Sequence, residues 1–310
     1  MSAGSARAAV LGSPVTHSLS PVLHTAGYRA LGLTSWTYEA IECDEQGLAG
    51  FLESVGPDWA GFSLTMPLKR AVLPLLDEAE RVAADVGAAN TVLLRAGRRL
   101  GYNTDVPGIV TALRQAGITS GRNALILGGG ATACSALAAI RELGATDVAV
   151  AVRSRPRAAT LLAVAARLGL EVRLLDMDTV DLNAEAGLAG PGSAGVPAGQ
   201  VQPVQQVQQV QQAGWQLLIS TIPAAAAGAV ARQIANGEVR ADAVFDVGYD
   251  PWPTALATAA RSAGLDVISG YELLLNQAVG QFELMTGRAA PIAAMRAAGL
   301  TELDRRRNIR

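Results

Sequence analysis

Lys69 is the only lysine among the 25 basic residues of a 310-residue chain. An arginine cannot release its proton near neutral pH, whereas a lysine ammonium can be tuned to do so. The one position that keeps a lysine is therefore the first candidate for proton transfer. It closes the run Ser63-Leu64-Thr65-Met66-Pro67-Leu68-Lys69, which reads as a strand end followed by a turn at Pro67. Three further runs have the same character: Gly12-Ser13-Pro14 leading into His17-Ser18-Leu19-Ser20-Pro21, then Gly87-Ala88-Ala89-Asn90-Thr91, then Gly101-Tyr102-Asn103-Thr104-Asp105. Taken singly, Asn90, Asn103 and Asp105 are as readily turn formers. Together the runs supply an amine, amides, hydroxyls and a carboxylate at element ends, an inventory that suits a small polyhydroxylated acid.

Ser20 before Pro21 reads as an N-cap with proline at the first helical position. That leaves Ser18 unexplained. Two hydroxyls two residues apart beside a helix N-terminus suit a carboxylate. His17 and His24 are the only histidines. No third ligand type clusters with them, so a metal site is not expected, and each is read as a structural hydrogen-bonder.

A second kind of chemistry is written at Gly128-Gly129-Gly130. These glycines lie between a strand expected at 123–127 and a helix expected at about 131–143. Glycines at such a turn let backbone amides approach a pyrophosphate, and the helix N-terminus adds its positive end. An NAD site usually carries an acidic residue about 20 residues further on. Here Val152-Arg153-Ser154-Arg155 stands instead. Two guanidiniums and no carboxylate suit a 2′-phosphate, hence NADP(H); the plainer reading is two solvated arginines on a loop.

The elements that must position these residues follow a βαβ rhythm. Strands are expected at 7–12, 36–41, 59–65 and 91–95, with helices at 21–31 and 45–55, which implies a mostly parallel sheet. From Asp105 a second unit begins: a helix at 106–116, the glycine-bearing βαβ unit with a strand at 147–152, and strands at 171–175, 215–219, 243–247 and 265–268. A helix at about 271–286 and a shorter one after Pro291 close the chain. The expected fold class is two-domain α/β. Residues 1–104 form a first unit, and a second, dinucleotide-binding unit begins at Asp105. Between 182 and 214 the periodicity fails. The valines of 201–212 recur every three residues, off the 3.6 of a helical face, so this stretch is read as a low-complexity surface insertion.

Composition narrows the class further. Half the residues are hydrophobic and the formal net charge is −2, which argues against a polyanion-binding surface and so against nucleic acid. Arg305, Arg306 and Arg307 read as a solvated tail. Cys43 and Cys134 are far apart in sequence and in no ligand spacing, so no disulfide is expected. No apolar run reaches the length of a membrane span and no signal segment opens the chain, which points to a cytoplasmic location.

With these residues in view, the chain resembles the shikimate dehydrogenase family. The resemblance is carried by Gly12 to Pro21, Thr65-Met66-Pro67-Leu68-Lys69, Ala89-Asn90-Thr91, Asn103-Thr104-Asp105, the segment 246–254 with Tyr249, and Asn276-Gln277-Ala278. It covers nearly the whole chain apart from 182–214. It implies a substrate domain of residues 1–104, completed by 271–310, and an NADP-binding Rossmann domain of 105–270, with the active site in the cleft between them. It further implies that Ser18 and Ser20 hold a shikimate carboxylate, and that Thr65, Lys69, Asn90, Asp105 and Gln277 meet the ring hydroxyls with Tyr249 close by. Lys69 and Asp105 would be the catalytic pair for reversible NADPH-dependent reduction of 3-dehydroshikimate. Gly128, Gly129, Gly130, Ala131 and Thr132 match the pyrophosphate loop, Arg153, Ser154 and Arg155 the 2′-phosphate clamp, and Thr221, Ile222, Val247 and Gly270 the nicotinamide end. The sequence leaves open which of Lys69 and Asp105 is the formal proton donor.

Three positions depart from the family pattern. Ala131 replaces a further glycine, Val152 replaces an asparagine near the adenosine end, and Thr25 replaces an asparagine on the first helix. Two neighbouring readings compete: a quinate/shikimate dehydrogenase of broader specificity, and a non-catalytic NADP-binding sensor. The sensor reading sits poorly with the presence of both Lys69 and Asp105. A tetrahydrofolate-type dehydrogenase would share the two-domain plan without needing the paired serines. Monomer and homodimer are both compatible with the sequence.

Overall fold

The computed structural model describes residues 6–177 and 214–309. The expected insertion at 182–214 lies, but for Gly214, outside the described residues. The described chain forms two six-stranded sheets flanked by helices.

The first sheet contains β1 (Ala6–Gly12), β2 (Trp36–Glu42), β3 (Trp59–Leu64), β4 (Glu78–Ala79), β5 (Thr91–Arg95) and β6 (Arg98–Tyr102), in the order β2-β1-β3-β5-β6-β4. β1 pairs parallel with β2 and β3, as the βαβ rhythm implies. β4 also pairs parallel with β6, so the sheet is mostly parallel as expected, but β5 runs antiparallel to both β3 and β6. Chain length explains the difference. Parallel neighbours need a crossover of a dozen or more residues, and only Ala96 and Gly97 separate β5 from β6. Both have positive φ, 52° and 76°, the backbone of a two-residue hairpin turn.

The second sheet contains β7 (Asn123–Leu127), β8 (Asp147–Val152), β9 (Val172–Asp176), β10 (Trp215–Ser220), β11 (Ala241–Asp246) and β12 (Asp266–Ser269). Its order is β12-β11-β10-β7-β8-β9 and every pair is parallel. This is the doubly wound dinucleotide-binding order, with its switch point between β7 and β10. The central strands are buried almost end to end, as sheets covered on both faces require. Successive residues point to opposite faces. Ile126, Val150 and Ile219 pack with Leu137 and Ile140 of α6 (Ala131–Glu142). Leu125, Ala149 and Leu218 pack with Val230 of α8 (Gly228–Ala235) and Leu256 of α9 (Ala255–Ser262).

The chain then returns to the first sheet. α10 (Gly270–Thr286) and α11 (Ile292–Arg307) join α1 (Ser20–Ala30) on one face, where Leu275, Phe282 and Met295 meet Leu23, Ala8 and Val10. The other face is covered by Leu48 and Leu52 of α2 (Leu48–Ser54) and by Leu68 of α3 (Leu68–Ala71). α11 follows Pro291 as expected and is shorter than α10 by one residue, 16 against 17. α5 (Asp105–Gln115) packs along α10. Gly108 permits that approach, since a Cβ there would sit 3.0 Å from the Gln277 backbone nitrogen. This contact brings the start of α5 and the middle of α10 to one cleft.

Candidate active site

Backbone pairing brings the sequence-distant runs together. Thr65 N donates to Leu11 O (2.9 Å) and Ser13 N to Met66 O (3.0 Å), which ties the two loops at the ends of β1 and β3. Ala89 N donates to Lys69 O, Leu64 N to Asn90 O and Asn90 N to Tyr102 O. The result is a cavity of about 260 Å³ between the sheets, lined by Ser18, Ser20, Thr65, Lys69, Asp105, Tyr249 and Gln277 among others.

At its centre Lys69 Nζ donates to Asp105 Oδ2 at 2.5 Å. The lysine side chain is 17% exposed and the aspartate 5%, so the carboxylate needs a full set of donors. Asn90 Nδ2 donates to Asp105 Oδ1 (2.9 Å) and Thr104 Oγ1 (2.9 Å), and Asn90 Oδ1 accepts from Thr104 N (2.8 Å) and Thr91 Oγ1 (2.9 Å). Asn90 therefore stands behind Asp105, fully buried, with its amide engaged on both sides. Asn103 is the local reason the carboxylate faces the cavity. Its Oδ1 accepts from Asp105 N (3.1 Å) and Val106 N (3.2 Å), holding the first turn of α5 from just ahead of Thr104.

The network extends to two residues that the sequence reading did not single out. Ser63 Oγ donates to Gln281 Oε1 (2.8 Å), and Gln281 Nε2 donates to Asn90 O (3.3 Å). Both line the cavity. The available signals are local: Ser63 is the lone hydroxyl in an apolar strand, and Gln281 is one turn beyond Gln277 on the same helix face. Tyr38 OH donates to Ser63 Oγ at 2.6 Å, and His24 stacks on Tyr38 with ring centroids 4.1 Å apart. His24 is fully buried, and neither ring nitrogen meets a partner in full hydrogen-bond geometry, Gln281 being the polar group beside it. Burial holds its imidazole down to about 3, against a weaker upward pull from Gln281. Among the described residues no cluster of His, Cys, Asp or Glu could hold a metal ion.

The paired serines divide their roles differently from the sequence expectation. Helix α1 begins at Ser20, and it is the Ser18 hydroxyl that accepts the Ser20 amide (3.2 Å), while the Ser20 side chain makes no capping bond. Ser20 is instead turned toward Tyr38. Both hydroxyls line the cavity. Opposite them, buried Asp246 accepts from Thr254 Oγ1 (2.5 Å) and Gly248 N (3.2 Å), fixing the loop that carries Val247 and Tyr249. Burial pushes the Tyr249 phenol upward, with Arg306 opposing, so Tyr249 is a neutral donor. The supposed solvated tail is corrected here. Arg305 and Arg307 are exposed, but Arg306 donates to His17 O (2.8 Å) and Asp250 Oδ2 (3.3 Å) and pairs with Glu302. It joins both walls of the cavity from α11.

A separate groove of about 500 Å³ runs along the ends of β7, β8 and β10, lined by Gly128, Gly129, Gly130, Arg153, Ser154 and Ile222. Gly128 has φ +110°, and a Cβ there would lie 2.6 Å from Thr221 Oγ1, so the turn needs glycine. Thr221 fixes that turn through Oγ1 to Leu127 O (2.8 Å). Arg153 is exposed on the groove wall. Arg155 bonds Leu174 O (3.1 Å) and is not part of that wall. Thr132, Val247 and Gly270 line the first cavity rather than the groove, and a Cβ on Gly270 would collide with the Val247 backbone. Ala131 begins α6 beside them. No helix among the described residues is long and apolar enough to cross a membrane.

Comparison with known proteins bears on this geometry. Residues 10–92 match the model of the shikimate dehydrogenase substrate binding domain, and residues 270–298 that of the shikimate 5′-dehydrogenase C-terminal domain. The NADP(+) shikimate dehydrogenase of Symbiobacterium thermophilum is 32% identical over 302 residues, covering 95% of this chain and 94% of the relative. Mycobacterium tuberculosis shikimate dehydrogenase superposes with a TM-score of 0.80 at 38% identity, over 96% of this chain and 99% of that one. The shikimate 5-dehydrogenase of Thermus thermophilus, solved in complex with NADP(H) and shikimate, superposes with a TM-score of 0.72 at 31% identity, over the same shares. Similarity of this degree along nearly the whole length leaves one assignment: the chain belongs to the shikimate dehydrogenase family.

Proposed function

We propose that the chain catalyses the reversible NADPH-dependent reduction of 3-dehydroshikimate to shikimate, a step toward chorismate and the aromatic amino acids, with Lys69 and Asp105 as its acid–base pair. The observation that carries this reading is the Lys69–Asp105 contact in a cavity beside the glycine-lined groove, with Lys69 lining the one and Arg70, the next residue, the other. The groove fits a phosphorylated dinucleotide: Gly128 clears a close backbone approach, α6 directs its N-terminus there, and Arg153 adds a cation.

Bound NADPH supplies a hydride. Lys69 supplies a proton to the alkoxide that forms at C3. Asp105 holds the ammonium in place and accepts from the neighbouring C4 hydroxyl. Ser18 and Ser20, beside the N-terminus of α1, bind the carboxylate. Thr65, Gln277 and Tyr249 orient the ring, and Asn90 keeps Asp105 aimed at it. We further propose a cytoplasmic enzyme whose partners are small molecules and which acts as a monomer or homodimer.

The test is an absorbance assay of nicotinamide reduction with shikimate and quinate, each against NADP⁺ and NAD⁺. Shikimate with NADP⁺ is expected to dominate. Comparable rates with quinate or NAD⁺ would replace this reading with the broader-specificity one, and no rate in any pairing would discard it.

A further inference from the structure

Arg70 follows Lys69 on α3, and nothing in the reaction as described uses it. Lys69 enters the substrate cavity, whereas Arg70 lines the groove with Gly128, Gly129, Gly130 and Arg153. Its guanidinium is poorly satisfied for so confined a group. Nη2 reaches only the Cys134 sulfur, at 3.4 Å, and Nε is buried without a partner. Among the described residues no carboxylate pairs with it. Burial pushes the Cys134 thiol upward, so the sulfur stays neutral and cannot serve as a counter-ion. A guanidinium with five donors and one weak acceptor, set against a glycine turn and the first turn of a helix, is a cation awaiting an anion.

We propose that Arg70 binds the diphosphate bridge of the dinucleotide from the substrate side of the cleft. The inference rests on the groove being the NADP(H) site. Position selects the diphosphate over the 2′-phosphate. Arg70 meets α6 at Cys134, directly above the glycine turn, whereas the 2′-phosphate site lies at the end of β8 beside Arg153. The glycine turn and α6 then hold the bridge from one side and Arg70 from the other. Since Lys69 and Arg70 share one helical turn, cofactor binding also fixes the segment that carries the acid.

The experiment is fluorescence titration of the full-length protein with NADPH, together with displacement by 2′-AMP, which carries the 2′-phosphate and no diphosphate. Arg70→Met keeps the aliphatic stem and removes the charge. It is expected to raise the NADPH Kd about tenfold or more, the scale of a lost charge-assisted hydrogen bond, and to leave 2′-AMP affinity unchanged. Arg153→Ala is expected to weaken 2′-AMP. Arg70→Lys, which restores the charge without the fork, is expected to recover part of the NADPH affinity and guards against a folding defect in the methionine variant. An unchanged NADPH Kd in Arg70→Met overturns the proposal. Equal losses for NADPH and 2′-AMP also overturn it, by moving Arg70 to the 2′-phosphate. Failure of the unmodified protein to bind NADPH would instead sink the cofactor reading beneath it.

Discussion

The substrate cavity and the cofactor groove, lined by the consecutive residues Lys69 and Arg70 respectively, are built on opposite principles. Around the cavity, Lys69, Asp105, Asn90, Thr104, Gln277, Ser63 and Gln281 already satisfy one another through side-chain hydrogen bonds. Along the groove the donors are main-chain amides at a glycine turn and arginines with few protein partners. The first arrangement fixes a reacting group within fractions of an ångström, which catalysis needs. The second leaves strong donors free for a large anionic ligand. A site for chemistry is here pre-wired, and a site for binding is left open.

That contrast can be broken most sharply at Lys69. Lys69→Ala is expected to lower kcat by about 10² or more, the usual scale of lost acid–base help, with a smaller change in shikimate affinity. Steady-state kinetics and equilibrium binding separate the two, and a near-normal kcat would remove Lys69 from the chemistry. Acid probes the wired half next. His24 is held neutral in the folded state down to about 3, below its unfolded value of 6.5. The unfolded chain therefore binds the extra proton first, and stability is complete above pH 6.5 and declines as pH falls toward 3. The expected loss is about 2 kcal/mol at pH 5 relative to pH 7. Urea unfolding of His24→Leu should show a shallower pH dependence by one proton, and parallel curves for both proteins would refute the assignment.

The open half responds through the ligand. Arg153→Ala is expected to raise KM for NADP⁺ about tenfold while barely changing NAD⁺ use. If both cofactors respond alike, Arg153 does not read the 2′-phosphate. The smallest effect belongs to the strut between the two regions. Arg306→Ala should raise KM for shikimate about threefold with kcat unchanged, within the range of a partly exposed ion pair. A fall in kcat of the same size would show that Arg306 also aligns the reacting groups.

Legibility in the sequence follows the same division. Lys69 is conspicuous because arginine fills every other basic position, and the turn at 128–130 because glycines between a strand and a helix are a local signature. The parallel order of the second sheet follows from its βαβ rhythm. What stays hidden depends on partners far along the chain. Ser63 and Gln281 are 218 positions apart, and neither has meaning without the other. Arg306 looks like one of three solvated arginines until α11 is seen to lie over His17 and Asp250. Arg70 is a surface arginine on a four-residue helix until α6 is placed beside it. The antiparallel hairpin of β5 and β6 was available in principle, since Ala96 and Gly97 leave no room for a crossover.

The return of α10 and α11 to the first sheet sets an order for biosynthesis. The second sheet is assembled from one uninterrupted span of chain, so it can fold as soon as that span leaves the ribosome. The first sheet emerges earlier, but on one face only α1 covers it until α10 and α11 are made, and Gln277 and Gln281 reach Asn90 only then. The nascent protein would thus acquire its dinucleotide groove before its reacting centre, and the half made first would be the half finished last.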